Sequence, residues 1–113
     1  MPENRDKIKK LVQFLKKNPD DSFTRFALAL ELIKQNEVSK AGVLFESILE
    51  QDPGYLGVYY HLGKLYEQTG RHSDARNLYH EGIRLAKEQG ELRTELELKD
   101  ALETINIELD HED

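Results

Sequence analysis

The sequence has no cysteine, no tryptophan, only three prolines and no long apolar run. Without cysteine the chain can form neither a disulfide framework nor a thiolate nucleophile, which fits a reducing compartment such as the cytoplasm. No stretch approaches the ~20 apolar residues of a membrane span, and no apolar run follows the polar first residues as in a secretory signal. The composition predicts one helical, cytoplasmic domain over residues 1–113.

Charge is distributed unevenly along the chain, whose formal net charge is −6 at pH 7. Residues 1–17 hold six basic and two acidic residues, whereas residues 88–113 hold two basic and ten acidic residues. The overall acidity argues against nucleic acid as the main partner. Lysines 9, 10, 16 and 17 are interpreted as a solvated face rather than a nucleic-acid or membrane contact, because no exposed aromatic residues interleave with them.

Apolar residues recur at helical spacing and predict six helices. The predicted helices cover residues 4–17, 20–35, 38–51, 55–69, 71–89 and 91–109. Pro19, Pro53, Gly70 and Gly90 fall between helices, where turns are expected. A capping-box spacing that begins at Thr94 would start the last helix slightly later.

The most specific pattern lies in residues 59–79. Residues that share one face of the first helix in this stretch are Tyr59, Leu62, Gly63 and Tyr66. Gly63 has no side chain, so a second helix can approach closely there. Gly70 suits a left-handed helix end, and Ala75 and Tyr79 share a face of the returning helix because they are four residues apart. The spacing predicts an antiparallel helix pair with small residues at the crossing and aromatic residues closing it.

This pattern resembles the tetratricopeptide repeat, a helix–turn–helix unit of 34 residues. Tyr59 stands where that family usually has tryptophan. The corresponding markers 34 residues earlier are Leu28, Ala29, Leu32, Asn36, Ala41 and Phe45. Asn36 supports the alignment, because asparagine also adopts the left-handed conformation. Arg25 stands at the position of Tyr59 and departs from the family pattern.

The resemblance implies an all-α fold: a right-handed stack of antiparallel helix hairpins, or α-solenoid, with a C-terminal capping helix. The predicted segments are a leading half-repeat helix (4–18), a first repeat (20–53), a second repeat (54–89), a capping helix (91–109) and a frayed tail (110–113). Leu11 and Phe14 match the second half of a repeat, 34 residues before Phe45 and Ile48. Glu97 stands where a third repeat would need a small residue, so the last helix is interpreted as a cap.

The residues give little support for catalysis or for a metal site. His80 and Glu81 begin like a zinc-protease motif, but Arg84 stands where the second histidine is needed. His72, Arg76 and His80 share a helix face, where the arginine would repel a metal ion. Neither a glycine-rich phosphate loop nor a nucleophile elbow is recognisable. The sequence predicts a protein that is not an enzyme and that holds no cofactor or metal.

The resemblance also implies a function, because the first helices of successive tetratricopeptide repeats line a concave groove that takes peptides or a partner's helix. Carried over by position, the partner-binding residues are Phe23, Phe26, Leu30, Lys34, Tyr60, His61, Lys64 and Gln68, together with Ala27 and Gly57. The alternative interpretation is that the phenylalanines are buried and the residues from Tyr60 onwards are a solvated face. Some family members bind a C-terminal carboxylate with a Lys/Asn/Arg clamp; here Phe26 and Leu30 occupy two clamp positions, which disfavours that mode.

Two functions follow as hypotheses. The first is a protein–protein interaction module, acting as an adaptor or scaffold. The second is a self-assembling, homo-oligomeric scaffold unit, in which the basic N-terminal helix of one copy meets the acidic C-terminal region of another. Repeat stacks gain stability from added neighbours, which makes such joining physically reasonable.

Overall fold

The computed structural model describes residues 2–111 and the side chains of residues 5–110, and this part of the chain is helical with no strand. Its helices are α1 (Pro2–Lys17), α2 (Ser22–Lys34), α3 (Val38–Gln51), α4 (Gly57–Gln68), α5 (His72–Gln89) and α6 (Leu92–His111). The prediction of an all-α fold is confirmed. Within the described residues, no helix combines the length and the apolar character that a membrane crossing requires.

The chain divides into two compact units, the first ending at Tyr55 and the second beginning at Leu56. In the first unit, α2 packs against both α1 and α3. In the second unit, α5 packs against both α4 and α6. The interpretation of the whole chain as one domain stays a prediction.

Helix ends lie within two residues of the predicted ones, and the differences have local causes. α1 begins at Pro2, because proline at a first helical position sacrifices no intrahelical hydrogen bond. α6 begins before Thr94, since Glu95 N–H donates to Glu91 C=O at 2.9 Å, so the expected later start is wrong. α6 continues through residues 110 and 111, which the sequence assigned to the tail. The other two tail residues, 112 and 113, lie outside the described part of the chain.

The hairpin of α4 and α5 closes at Gly63, as predicted. A Cβ atom on Gly63 would overlap the ring of Tyr79, whose Cζ atom would be 2.9 Å away. Tyr79 and Ala75 are fully buried. The predicted arrangement, with small residues at the crossing and an aromatic residue closing it, is confirmed.

Three turns in the chain share one geometry. Asn36, Gly70 and Gly90 have positive φ angles of 61°, 81° and 71°. At each turn this residue donates its N–H to the carbonyl three positions back, and the next residue donates to the carbonyl five positions back. This pair of hydrogen bonds satisfies carbonyls at the helix end that would otherwise lack a donor. The expected left-handed role of Asn36 is confirmed.

Candidate partner-binding surfaces

The first candidate surface lies on α2 and consists of Phe23, Phe26, Leu30 and Lys34, which we call the α2 surface. These residues follow helical spacing on one side of α2, whereas Leu28 and Ala29 on the other side are buried. Phe23 is 70% exposed, Lys34 is exposed, and Phe26 and Leu30 are half-buried. The sequence therefore places an apolar row at a surface, but its members differ in depth.

Phe26 has a structural role that its neighbour Phe23 lacks. Its ring centroid lies 5.8 Å from that of Phe45 and 5.2 Å from that of Tyr55, in tilted arrangements that stabilise aromatic pairs. Burial raises the pKa of Tyr55, and Asp21 adds to the effect. Phe26 thus helps to hold the α2–α3 hairpin together, so the buried interpretation applies in part to Phe26 and not to Phe23.

A buried carboxylate controls the charge of the α2 surface. Glu31 is 6% exposed, and its Oε2 atom lies 2.9 Å from Nζ of Lys34. Its Oε1 atom makes no hydrogen bond and lies 3.7 Å from Nζ of Lys7 on α1. The hydrogen bond from Lys34 lowers the pKa of Glu31 against the opposing effect of burial, and the charges of Lys34 and Lys7 lower it further. The α2 surface is therefore mainly apolar, with its lysine already paired.

The second candidate surface lies on α4 and consists of Tyr60, His61, Lys64 and Gln68, which we call the α4 surface. The rings of Tyr60 and His61 meet edge to face at 5.4 Å. Nζ of Lys64 lies 5.7 Å from the centroid of the Tyr60 ring, within cation–π range. Burial lowers the pKa of His61, and the carboxylate of Glu97 on α6 partly opposes this. Three of the four residues thus form one polar, aromatic group, while Gln68 is exposed at the helix end.

Glu67 connects the α4 surface to the core of the second unit. Its carboxylate lies 3.7 Å from Nζ of Lys64 and also accepts a hydrogen bond from the hydroxyl of Tyr79. Burial raises the pKa of Tyr79, and the hydrogen bond to Glu67 raises it further, so the phenol stays a neutral donor. The buried tyrosine therefore orients Glu67, and Glu67 in turn orients Lys64.

The sequence interpretation did not single out Glu31 or Glu67. Each lies three residues from a lysine on the same helix, which is the spacing of an ion pair. That spacing was a usable signal for the pairing, though not for the depth of the carboxylates. Within the described residues, no group of His, Asp and Glu side chains is arranged to hold a metal ion.

Comparison with known proteins decides the family. The family model described as tetratricopeptide repeat matches residues 32–94 of this chain. This chain belongs to the tetratricopeptide repeat family. It is similar to a tetratricopeptide repeat domain protein from Salinibacter ruber, with 48% identity over 76% of this chain and 96% of that chain, and a TM-score of 0.74. The resemblance inferred from residues 59–79 is thereby confirmed.

More distant solved structures share the tetratricopeptide fold. The type III secretion translocator chaperone SycD of Yersinia enterocolitica is 14% identical to this chain, with a TM-score of 0.88. The match covers 96% of this chain and 76% of the SycD chain. The TPR2B domain of yeast Sti1, solved in a complex with pHsp70, is also 14% identical, with coverages of 95% and 86% and a TM-score of 0.85. At this identity the likeness extends to the fold alone. That the α2 and α4 surfaces of this tetratricopeptide repeat protein line one groove stays a prediction.

Proposed function

We propose that this chain is a non-enzymatic, cytoplasmic protein-interaction module that binds a peptide or a partner's helix through its α2 and α4 surfaces. The observation that carries the proposal is Phe23, a large apolar side chain that is 70% exposed on a repeat's first helix. A partly exposed apolar row at such a position is a feature of interaction sites. The solved relatives support the general role, since one is a translocator chaperone and another is solved with pHsp70.

The chemistry of the two surfaces suggests what the partner must supply. The α2 surface would take an apolar side chain against Phe23 and Leu30. The α4 surface would take a group that accepts hydrogen bonds, or an acidic side chain, at Lys64, whose side chain is 40% exposed. A clamp for a C-terminal carboxylate is not part of the proposal, because Phe26 and Leu30 stand at two of the positions where the resemblance requires polar residues. We therefore expect apolar contacts to supply most of the affinity.

Selection from a phage-displayed library of random peptides, followed by calorimetry with the selected peptides, tests this function. Replacing Phe23 by alanine should weaken binding by about five- to thirtyfold, since an exposed aromatic anchor contributes on the order of 1–2 kcal/mol. Tyr60→Ala and Lys64→Ala should weaken it less. Phe26→Ala is a poorer probe, because it also removes the ring contacts with Phe45 and Tyr55.

Val43→Ala provides the matched control. Val43 is 66% exposed on α3 and lies outside both surfaces, so its loss should leave binding unchanged. Urea unfolding of every variant separates lost binding from lost stability. Selected peptides that bind the Phe23, Tyr60 and Lys64 variants as tightly as the unmodified chain would contradict the assignment of these surfaces.

A further inference from the structure

α6 carries apolar and acidic side chains on an exposed face. Its buried face consists of Leu98, Ala101 and Ile105, and Leu98 lies against Gly82 of α5. On the other side of the helix, Leu92, Leu96 and Ile107 are 65%, 56% and 52% exposed. The α6 face, as we define it, consists of Leu92, Leu96, Asp100, Glu103 and Ile107. Three large apolar side chains on one exposed helix face mark a candidate interaction surface.

The repeat register identifies what kind of neighbour this face lacks. Leu92 and Leu96 follow Val58 and Leu62 of α4 by 34 residues, and those two residues are fully buried. α4 is the first helix of a hairpin and packs against the second helix, α5. α6 occupies the same place in the repeat as α4, so its exposed leucines stand where a first helix would be covered by a second helix.

α1 has the complementary character. Phe14 precedes Ile48 of α3 by 34 residues and Gly82 of α5 by 68. Ile48 is fully buried, and a Cβ atom on Gly82 would lie 2.8 Å from Cβ of Tyr59 and 2.9 Å from Cδ1 of Leu98. Residues at this place in a second helix are thus packed against other helices, yet Phe14 is 48% exposed.

Lysines flank this exposed phenylalanine. Lys10, Phe14 and Lys17 are spaced at i, i+4 and i+7, so they share one side of the helix, which we call the α1 face. All three side chains are exposed. The α1 face therefore combines one large apolar side chain with two positive charges, where the α6 face combines apolar side chains with negative charges.

We propose that the α6 face of one copy binds the α1 face of a second copy, so that the two helices form one further hairpin between copies. Charge selects this pairing, because α1 has six basic and two acidic residues whereas α6 has six acidic and two basic residues. Pairing α1 with α1, or α6 with α6, would bring like charges together. The contact is heterologous, so a pair of copies keeps one free α1 face and one free α6 face and can add further copies unless a ring closes.

The contact is weaker than the hairpins inside the chain. Glu97 stands 34 residues after Gly63, so an approach as close as that between Gly63 and Tyr79 is not available at α6. The charged side chains of the two faces therefore contribute a larger share of the attraction than charges do in the hairpins inside the chain. Attraction between exposed charges is screened by salt. Association should therefore rise with concentration at low salt and diminish at high salt.

Sedimentation velocity of the full chain, from micromolar to millimolar concentration, measures this association. Two variants each block one face: Phe14→Asp blocks the α1 face and Leu96→Asp blocks the α6 face. Each variant alone should associate at least about tenfold more weakly than the unmodified chain. Their mixture should form a one-to-one dimer that does not grow, because only one intact face of each kind remains. Val43→Asp adds the same charge at an exposed apolar site outside both faces and should associate like the unmodified chain.

A second pair of variants tests the charge complementarity. Lys10→Glu with Lys17→Glu should abolish association, and mixing that variant with one carrying Asp100→Lys and Glu103→Lys should restore it. A chain that stays monomeric at low salt over the whole concentration range would overturn the proposal, as would undiminished association of either blocked variant alone. Peptide binding at the α2 and α4 surfaces should survive in all these variants, so the proposed function can fail or hold independently.

Discussion

The α2–α3 hairpin and the α4–α5 hairpin fill the same crossing with different side chains. The first hairpin has Ala29 and Phe45 there, and the second has Gly63 and Tyr79, all buried. The hydroxyl of Tyr79 adds a polar atom to the core, and Glu67 accepts its hydrogen bond. The first hairpin has Ile33 at the repeat position of Glu67. An apolar residue suffices there, because the phenylalanine ring of the first hairpin has no hydroxyl that needs an acceptor. The buried hydroxyl is therefore accompanied by a hydrogen-bond acceptor, as the cost of an unpaired buried polar group requires.

This difference in the core extends to the candidate surfaces. Glu67 also lies next to Lys64, so the second hairpin presents a cation whose position is set from inside. The counterpart of Lys64 in the first hairpin is Leu30, and the counterpart of Tyr60 is Phe26. One hairpin thus offers a polar, aromatic surface and the other an apolar surface, and in the second hairpin Glu67 connects the core to that surface.

The largest effect is expected from adding one methyl group at the second crossing. Gly63→Ala should lower the free energy of unfolding by about 2 kcal/mol, because overpacking a well-filled site forces neighbouring side chains to move. Tyr79 has little freedom to move, being fully buried and hydrogen-bonded. Urea denaturation measures the change.

Ala29→Gly, at the same place in the first hairpin, is the control for this variant. It should cost only about 1 kcal/mol, from the lower helix propensity of glycine. If Gly63→Ala were neutral or stabilising, helix propensity would outweigh crowding, and the close approach of the two helices would not be what demands glycine.

A smaller effect is expected from removing the hydroxyl of Tyr79. Tyr79→Phe should lower the free energy of unfolding by about 1–2 kcal/mol, because the carboxylate of Glu67 loses its buried donor. Adding Glu67→Ile should recover part of the loss, since it gives the second hairpin the phenylalanine and isoleucine that the first hairpin has at these two repeat positions. Tyr79→Phe should also alter how the free energy of unfolding changes at alkaline pH.

The sign of that pH response follows from the raised pKa of Tyr79. The unfolded chain ionises this phenol near its usual pKa of about 10, whereas the folded chain keeps it neutral to higher pH. The contribution to stability is therefore complete below about pH 10 and is lost as pH rises through the raised value, by up to about 1.4 kcal/mol per pH unit. Tyr79→Phe should flatten this decline more than Tyr55→Phe. Equal declines in the two variants would show that the Tyr79 hydroxyl is not the group responsible.

The sequence was sufficient for the features that depend on spacing along one helix. It predicted the helices, the crossing at Gly63 and the left-handed turn at Asn36, because each follows from periodicity or from the conformational range of a single residue. It could not distinguish Phe23 from Phe26. Both fit the same helix face, and only the packing of Phe26 against residues far along the chain makes Phe26 half-buried and leaves Phe23 exposed.

The carboxylates were missed for a related reason. Glu31 and Glu67 have ordinary spacing to a lysine, but their depth depends on how closely the neighbouring helices approach. The role of the candidate surfaces stays a prediction for a different reason, because what binds them depends on the chemistry of a second molecule.

The smallest effect is expected at the turns, and it separates two reasons for having glycine in the second hairpin. Gly70→Ala adds the same methyl group as Gly63→Ala, but no atom lies within 4 Å of the new Cβ position. Its cost of about 1 kcal/mol should come from the positive φ of 81° alone. Asn36→Gly, at the same turn position of the first hairpin, should change stability by less than about 0.5 kcal/mol, since asparagine already adopts this conformation.

Urea denaturation of Gly63→Ala, Gly70→Ala and Asn36→Gly should therefore rank their losses of stability by local cause, with crowding at the crossing costing more than backbone strain at the turn. If Gly70→Ala cost as much as Gly63→Ala, the turn rather than the crossing would limit the second hairpin, and the contrast between the two cores would lose its physical basis.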